Sequence, residues 1–396
     1  MSTPAREADC LIIGAGVAGL WVRASLAAAG YSTLTLERSA AGHGQSIASQ
    51  GILHRGLKYQ LSPAAAKAAE ELATAAKVWE DCFAGRGELD LRGTLVLAEA
   101  MHMWAPPGGV GGLFAKVTAG MASLTMSSAA EKLAPARWPE CFRAADHSTA
   151  VYEVRERCVD VASLLERMLA ASTSSIRRDH VVSILQDETG VLAVLASGER
   201  VRAGCLIACA GEGNEQVAAL AGVSGEPVFQ RRPLRMVAMR GAPFVLNGHC
   251  IQPMSDKPRL TVTTTRTDGE LYWWLGGSLA EDGVTRTEAE QVAAAQVAVR
   301  ECIPWARCEH SRFSTFAIDR AEGRTAEGKR PDGPVVRDFG RVLLAWPTKL
   351  ALAPSLAAEV RRRIDLLSIS PSGASRGDVQ CSVAQSPWLD GGVRWS

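Results

Sequence analysis

The sequence predicts an α/β fold in two connected domains, and three observations lead to that prediction. The chain has 396 residues, which is more than one compact core usually holds. Near its start, an apolar strand at Cys10–Ile13, a glycine-rich turn, a helix at Val17–Ala29 and a strand at Thr33–Glu37 follow in order, which is typical of a βαβ unit. From Arg235 to Gly277, Thr, Val, Tyr and Trp alternate, which indicates the strands of a second sheet.

Local signals predict the remaining elements. Ser62 and Pro63 open a helix that extends to about Cys82, because a proline in the first turn removes no helical hydrogen bond. Pro106–Gly112 is interpreted as a loop, and the Ser-, Gly- and Pro-rich tail after Leu367 as loosely packed. Further helices are predicted at Val159–Ala170, Thr287–Cys302 and Ser355–Ile364, and further strands at Val181–Gln186, Val191–Ala196, Cys205–Ala210 and Val342–Ala345.

Composition and charge exclude several classes of protein. Hydrophobic residues make up 47% and charged residues 21%, and the net charge of +1 does not favour nucleic acid or an anionic membrane surface as a partner. The ten cysteines contain no CxxC pair, so we expect reduced, mostly buried thiols and no metal centre. Without a signal peptide pattern or a long apolar run, a cytoplasmic protein is expected. The sequence does not predict an oligomeric state.

The glycine-rich turn carries a dinucleotide signature. Gly14 makes the tight turn, Gly16 lets the backbone approach a pyrophosphate, and Gly19 lets the helix pack on the sheet. The helix N-terminus offers free N–H groups and a positive dipole to the phosphates. Glu37, about 20 residues on, is placed to bind an adenosine ribose and would repel the extra phosphate of NADP. At this point both FAD and NAD remain open.

Three further segments extend the signature along the chain. The first, Gly44–Tyr59, contains a Ser-rich loop and the sequence His-Arg-Gly-Leu-Lys-Tyr. The second, Leu206–Gly211, is an apolar strand with a small-residue end, and the third joins Arg330–Pro334 to Leu343–Pro354. With the N-terminal unit, these segments resemble the D-amino-acid-oxidase-like FAD-dependent oxidoreductases. The stretch from His54 is similar to that of the glycerol-3-phosphate dehydrogenase and L-2-hydroxyglutarate oxidase branch.

The resemblance implies FAD as the cofactor and a specific architecture. That architecture is a discontinuous Rossmann-like FAD-binding domain with a mixed β-sheet substrate domain. The implied FAD-binding parts are 1–95, 151–230 and 323–366, the substrate parts are 96–150 and 231–322, and the tail is 367–396. The implied FAD-binding residues are Gly14, Gly16, Val17, Ala18, Gly19, Glu37, Arg38, Gln45, Ser46, Ser49, Gln50, Gly51, Ala210, Gly211, Thr348, Lys349 and Leu350.

Oxidation at a flavin needs a group that takes the substrate O–H or N–H proton, and an imidazole suits that role near neutral pH. The resemblance places His54 at the flavin face, where it could be this base, a structural hydrogen-bonding group or a covalent tether. Lys349 could stabilise the negative charge of reduced flavin or face solvent. Arg320 could bind a substrate carboxylate or pair with Asp319 or Glu322.

Other side chains support weaker hypotheses. Arg55 is a large residue where the similar branch has a small one, and Arg55 and Lys58 could bind an anionic substrate or a FAD phosphate. Strand alternation would place Tyr272 on the opposite face from Trp273, either lining a pocket or in the core. The remaining histidines are scattered and indicate no constellation: His43, His102, His147, His180, His249 and His310.

The leading hypothesis is an FAD-dependent oxidase or dehydrogenase that removes a hydride from a small-molecule C–OH or C–N bond. A flavin monooxygenase is an alternative, although that group usually has a Gly-Asp pair where this chain has Ala345-Trp346-Pro347. A flavin-binding subunit with a non-catalytic flavin is another. Carboxylate pairs for hydrolysis, a nucleophile elbow and a P-loop are absent from the sequence.

Overall fold

The computed structural model describes residues 6–56, 66–105, 130–171, 175–224, 228–251, 257–373, 377–389 and 393–396. Lys58, the start of the helix expected from Ser62 and the loop expected at Pro106–Gly112 lie outside these residues. The described helices are α1 (Val17–Ala28), α2 (Ala66–Phe83), α3 (Val161–Ala170), α4 (Asn214–Leu220), α5 (Ser278–Asp282), α6 (Glu288–Cys302) and α7 (Ala353–Leu366). The described strands are β1 (Arg6–Ile13), β2 (Thr33–Glu37), β3 (Ile52–Leu53), β4 (Val96–Ala98), β5 (Met101–Ala105), β6 (Ala130–Lys132), β7 (Ala150–Val154), β8 (Arg157–Val159), β9 (Ser175–Arg178), β10 (Val181–Gln186), β11 (Val191–Leu195), β12 (Arg200–Ala208), β13 (Phe229–Arg240), β14 (Gly248–Cys250), β15 (Leu260–Thr267), β16 (Glu270–Gly276), β17 (Arg312–Gly323), β18 (Val335–Phe339) and β19 (Val342–Trp346).

The first sheet is built around the expected βαβ unit. Its strand order is β10-β11-β12-β1-β2-β9, with β19 paired to β12 and β18 to β19. β1 is parallel to β2 and to β12, while β10, β11 and β12 pair antiparallel. Buried apolar side chains on β1 face both sides of the sheet, as parallel strands covered on two faces require.

Helices α1, α3 and α7 cover one face of this sheet. Ile12 of β1, Trp21 of α1, Leu164 of α3 and Leu356 of α7 share one core cluster and are almost completely buried. This packing fixes the N-terminus of α1 against the carboxyl ends of the strands, where ligands bind in open α/β sheets.

The second sheet has eight described strands in the order β17-β13-β16-β15-β14-β5-β7-β6. The pairs among these strands are antiparallel except for β14 with β5. Trp273 packs into one core cluster, while Tyr272 and Trp274 pack into another, so the expected alternation along β16 is confirmed. The α/β fold class is therefore confirmed, whereas the domain boundaries drawn from the sequence stay a prediction.

The helix boundaries follow their capping signals. The helix expected from Val159 begins at Val161, because the Asp160 side chain accepts a hydrogen bond from the Ser163 N–H at 2.8 Å. Thr287 and Glu290 form a capping box at the start of α6, where the sequence predicts a helix. No helix within the described ranges is long and apolar enough to span a membrane.

The prediction of a loosely packed tail is wrong for its described residues. Val383 forms a parallel bridge with Ala41, and Ser396 exchanges two backbone hydrogen bonds with Phe313. The Trp388 ring is buried against Trp274, with ring centroids 4.9 Å apart. Composition alone did not reveal this packing, because the aromatic anchor is isolated among polar and small residues.

Candidate functional site

One large cavity is lined by residues of both eight-stranded sheets. Its volume is about 2760 Å³, and its wall includes the glycine turn after β1, Met236 of β13 and Phe316 of β17. Small-molecule sites usually measure roughly 300–1,000 Å³. The cavity therefore has room for a dinucleotide and a second small molecule.

The glycine turn lies at one part of this cavity, and its geometry requires glycine. Gly14 has a φ of +100°, and a Cβ there would lie 2.7 Å from the Cys209 carbonyl oxygen at the end of β12. A Cβ on Gly16 would lie 3.0 Å from Ser46 Oγ. The turn thus leaves its backbone bare beside the start of α1, which has no acidic residue in its first turn. This is an anion-binding geometry.

Glu37 ends β2 beside the same turn. Its Oε2 accepts a hydrogen bond from the Ala15 N–H at 2.9 Å, and its Oε1 accepts one from the Ser39 N–H at 3.0 Å. The carboxylate is thus held in place in the cavity wall. The sequence predicts that this acid binds the ribose of a dinucleotide, and that contact stays a prediction.

The turn after β19 forms another part of the wall. Thr348 has a φ of +61°, a conformation that costs a β-branched residue about 1–3 kcal/mol, and its Oγ1 donates to the Gly333 carbonyl at 3.1 Å. Lys349 follows, and its Nζ is buried. The alternative of a solvent-facing Lys349 is therefore wrong.

His54, Glu156 and His249 meet at the wall of the cavity. His54 Nδ1 lies 2.9 Å from Glu156 Oε2, and the His54 and His249 rings are stacked with centroids 6.1 Å apart. The possible ligand atoms of the three side chains all lie within 4.8 Å of one another, a spacing that could also hold a metal ion. The expectation that the other histidines form no constellation is therefore wrong for His249.

The surroundings of the Glu156 carboxyl lower its pKa. Burial raises the pKa of Glu156, but the two neighbouring imidazoles and its hydrogen bonds to His54 and to the Arg55 N–H outweigh burial and lower the pKa to about 2. No pattern in the sequence indicated Glu156, because its partner His54 is 102 residues away and the contact depends on strand pairing.

Arg320 also lies in the cavity wall, in a charged network. Its Nε donates to the Arg232 carbonyl at 3.1 Å, and its guanidinium faces Glu281 at 3.4 Å. Burial lowers the pKa of Arg320. The ion pairs expected with Asp319 or Glu322 are wrong, because Asp319 pairs with Arg231 and Glu322 pairs with Arg232.

The comparison with known proteins decides the family. The FAD dependent oxidoreductase family model matches residues 9–344. This chain belongs to the FAD-dependent oxidoreductase family. It is 38% identical over 371 residues to the probable FAD-dependent oxidoreductase PA4991 of Pseudomonas aeruginosa, covering 93% of each chain. The crystal structure of PA4991 superposes with a TM-score of 0.81 over 98% of both chains, at 34% identity.

More distant structures share the fold of this FAD-dependent oxidoreductase. Glycine oxidase from Geobacillus kaustophilus has a TM-score of 0.65, and L-alpha-glycerophosphate oxidase from Mycoplasma pneumoniae has one of 0.67. Each is 15% identical and covers 91% of this chain and 95% of its own. The family match over residues 9–344, together with these shared folds, confirms the expected resemblance to the D-amino-acid-oxidase-like family.

The described residues fit FAD, the cofactor of the family. Bare backbone at Gly14 and Gly16 leaves space beside the α1 N-terminus for a pyrophosphate, and Glu37 offers a carboxylate beside it. The Ser49 hydroxyl is buried in the cavity wall and has no hydrogen-bond partner among the described residues. A ligand with polar groups would satisfy it.

Most of the residues predicted to bind FAD lie in the wall of this cavity. They are Gly14, Gly16, Val17, Ala18, Glu37, Arg38, Gln45, Ser46, Ser49, Gln50, Ala210, Gly211, Thr348, Lys349 and Leu350. Gly19 and Gly51 lie behind the wall, where a Cβ would come within 1.9 Å of the Gly14 oxygen and 2.0 Å of the Val159 oxygen, respectively. The contacts of all these residues with FAD stay predictions.

Two residues predicted to bind substrate lie away from the described cavity wall. Arg55 forms an ion pair with Glu80 at 2.6 Å, and its side chain is about half exposed. Tyr272 is buried in the core beside Trp388, with ring centroids 6.4 Å apart. The position of Arg55 favours a surface ion pair, which the sequence did not predict, and that of Tyr272 favours core packing, which the sequence left open as an alternative.

Proposed function

We propose that this FAD-dependent oxidoreductase oxidises a small molecule at a C–OH or C–N bond and that His54 takes the O–H or N–H proton. The observation that carries the proposal is the position of His54. Its imidazole lines the same cavity as the glycine turn, and its Nδ1 is hydrogen-bonded to the buried Glu156 carboxylate. FAD supplies, when bound, the acceptor for the hydride.

The His54 ring has the access that a proton acceptor needs. Its side chain is 25% exposed, whereas the side chain of Glu156 is 8% exposed. A substrate in the cavity can therefore reach the imidazole but not the carboxylate. Imidazole is also the side chain whose charge changes most readily near neutral pH. The His54–Glu156 pair thus resembles the base and orienting acid of other enzymes.

Cationic side chains in the wall suit the negative charge that develops during oxidation. We propose that Lys349, with its buried Nζ, stabilises that charge on the cofactor. For Arg320 we propose a role in binding a substrate carboxylate, because its guanidinium lines the cavity. Its present partner, Glu281, also pairs with Lys257 at 2.6 Å, so a substrate carboxylate would compete with Glu281 for Arg320.

The names of proteins that share this fold support both a C–OH and a C–N bond as the target. Glycine oxidase and L-proline dehydrogenase are named for amine substrates, and L-alpha-glycerophosphate oxidase for a hydroxyl substrate. At 11–15% identity these names support only the reaction class.

An anaerobic spectral assay tests the proposal. Hydroxy acids, polyol phosphates and amino acids are added singly to the purified, FAD-loaded protein while the visible flavin absorbance is followed. We expect at least one of them to bleach the flavin. Failure of every such substrate to do so would favour the non-catalytic flavin reading instead.

A matched pair of variants then tests His54. In H54N the amide nitrogen can still donate to Glu156, so the variant removes the proton acceptor and keeps this hydrogen bond. We expect bleaching to slow by roughly 10²- to 10⁴-fold. H310N is the control, because His310 is exposed and absent from the described cavity wall. Equal rates in H54N and H310N would contradict the role of His54.

A further inference from the structure

We propose that Glu156 is a positioning residue that holds the His54 ring with its proton on Nδ1, so that Nε2 keeps the free lone pair. The inference rests on the proposed function, since it names the residue through which the proton acceptor is set. Glu156 itself does not line the described cavity. It would act only through His54.

The strand register brings the two residues together. β3 and β8 pair antiparallel, with Ile52 opposite Cys158 and Leu53 opposite Arg157. The next pair in that register is His54 with Glu156. These two strands belong to a three-stranded sheet of order β3-β8-β4. His54 directly follows β3 and Glu156 directly precedes β8, so their backbone spacing is fixed, and the side chains meet at 2.9 Å.

Both oxygens of the carboxylate act as hydrogen-bond acceptors. Oε1 accepts from the Arg55 backbone N–H at 3.2 Å, and Oε2 contacts His54 Nδ1 at 2.9 Å. Glu156 is 6% exposed. Imidazole is a stronger base than a carboxylate, so the proton between the two groups lies on His54 Nδ1, and the carboxylate accepts the 2.9 Å hydrogen bond.

A metal ion would compete with this arrangement. Together with His249, the two side chains have the spacing of metal ligands. Metal binding through His54 Nδ1 would require loss of the Nδ1 proton and of its hydrogen bond to Glu156. The 2.9 Å contact and the bond to the Arg55 N–H instead account for both carboxylate oxygens without a metal.

The structure predicts what glutamine would do in place of Glu156. The Arg55 N–H can only donate, so the amide oxygen of glutamine must face it. The amide NH₂ would then face His54 Nδ1 and donate to it, which moves the ring proton to Nε2. E156Q should therefore reverse the tautomer of His54 with little change in side-chain volume, whereas E156D keeps a carboxylate.

Nitrogen NMR measures the tautomer without any substrate. The FAD-loaded protein is labelled with ¹⁵N-histidine, and spectra are recorded at a pH above the ring titration. The H54N spectrum identifies the signals of His54. We expect Nδ1–H in wild type, in E156D and in H249N, and Nε2–H in E156Q. H249N is the control, because it removes the neighbouring ring and leaves the His54–Glu156 bond in place.

Turnover measurements distinguish failure of this inference from failure of the proposed function. We expect E156Q to lower kcat by roughly 10²- to 10⁴-fold with little change in KM, and E156D to restore part of it. Nε2–H in wild type, or an unchanged tautomer in E156Q, overturns the inference. A stoichiometric metal ion that E156Q loses also overturns it. If the tautomer reverses while E156Q and H54N turn over normally, the inference stands and the proposed role of His54 fails.

If E156Q does not fold, the wild-type and E156D spectra still decide the tautomer. Nδ1–H in both supports the inference, and Nε2–H in either overturns it.

Discussion

Replacement of Gly19 by alanine tests whether close packing of α1 creates the dinucleotide turn. An alanine Cβ at this position would lie 1.9 Å from the Gly14 carbonyl oxygen and 3.1 Å from the Gly14 carbonyl carbon. Ordinary van der Waals contact begins at 3.4 Å. Relief of the clash by separation alone therefore requires the helix and the turn to move apart by 3.4 − 1.9 = 1.5 Å.

The expected magnitude combines two opposing effects. Overpacking against backbone costs about 3 kcal/mol, the upper end of the usual range, because a carbonyl cannot rotate away as a side chain can. Alanine in a helix recovers about 1 kcal/mol relative to glycine. The net penalty of about 2 kcal/mol appears as lost stability if the turn cannot relax. If the turn relaxes in the apoprotein, the penalty instead weakens FAD binding by roughly 30-fold.

Two measurements on G19A cover these two cases. The unfolding free energy of the apoprotein reports lost stability, and the Kd for FAD from flavin fluorescence quenching reports weaker FAD binding. The control is G222A. Gly222 has a φ of +71° and no atom within 4 Å of its Cβ position, so alanine there adds strain of about 1 kcal/mol without a clash. The Kd for FAD should not change in G222A. A G19A protein that matches wild type in both stability and Kd would refute the reasoning.

Three further predictions concern stability. T287A removes the capping box of α6 and should lower the unfolding free energy by about 1 kcal/mol in denaturant titration. An unchanged denaturant midpoint of unfolding would contradict a stabilising role of the cap. W388A removes the buried anchor of the tail at a cost of about 3 kcal/mol, so limited proteolysis after residue 377 should accelerate, whereas L389A, at a site 41% exposed, should not change it. The pKa of Glu156 is lowered from 4.5 to about 2, so the carboxylate stabilises the fold above pH 4.5 and this contribution is lost as the pH falls toward 2. The loss should be at most about 3 kcal/mol, and unfolding free energies measured from pH 5 to 2 should fall less steeply in E156Q. Parallel curves would contradict the lowered pKa.

Local sequence signals predicted the cofactor part of the site. Gly14, Gly16 and Glu37 act within one βαβ unit, where spacing along the chain nearly fixes spacing in space. The caps at Asp160 and Thr287 are also local, because each side chain bonds the backbone three residues on. The glycine turn and the acid at Glu37 are close in sequence, so residue type and order were sufficient to predict them.

The proposed catalytic part of the site depended on contacts distant in sequence. His54 was found through a family resemblance, but Glu156 reaches it only because β3 pairs with β8, and His249 reaches it from β14 of the second eight-stranded sheet. A single sequence shows which segments form strands but not which strands become neighbours. The packing of Trp388 against Trp274 has the same origin.

The sequence by itself therefore determined the α/β class, the glycine turn and the acid at Glu37, because each depends on backbone conformation within a short segment. Only the tertiary structure decided the surroundings of His54, the partner of Arg320 and the packing of the tail. Those features depend on which of many possible side chains each residue meets when separate strands pair and the core closes.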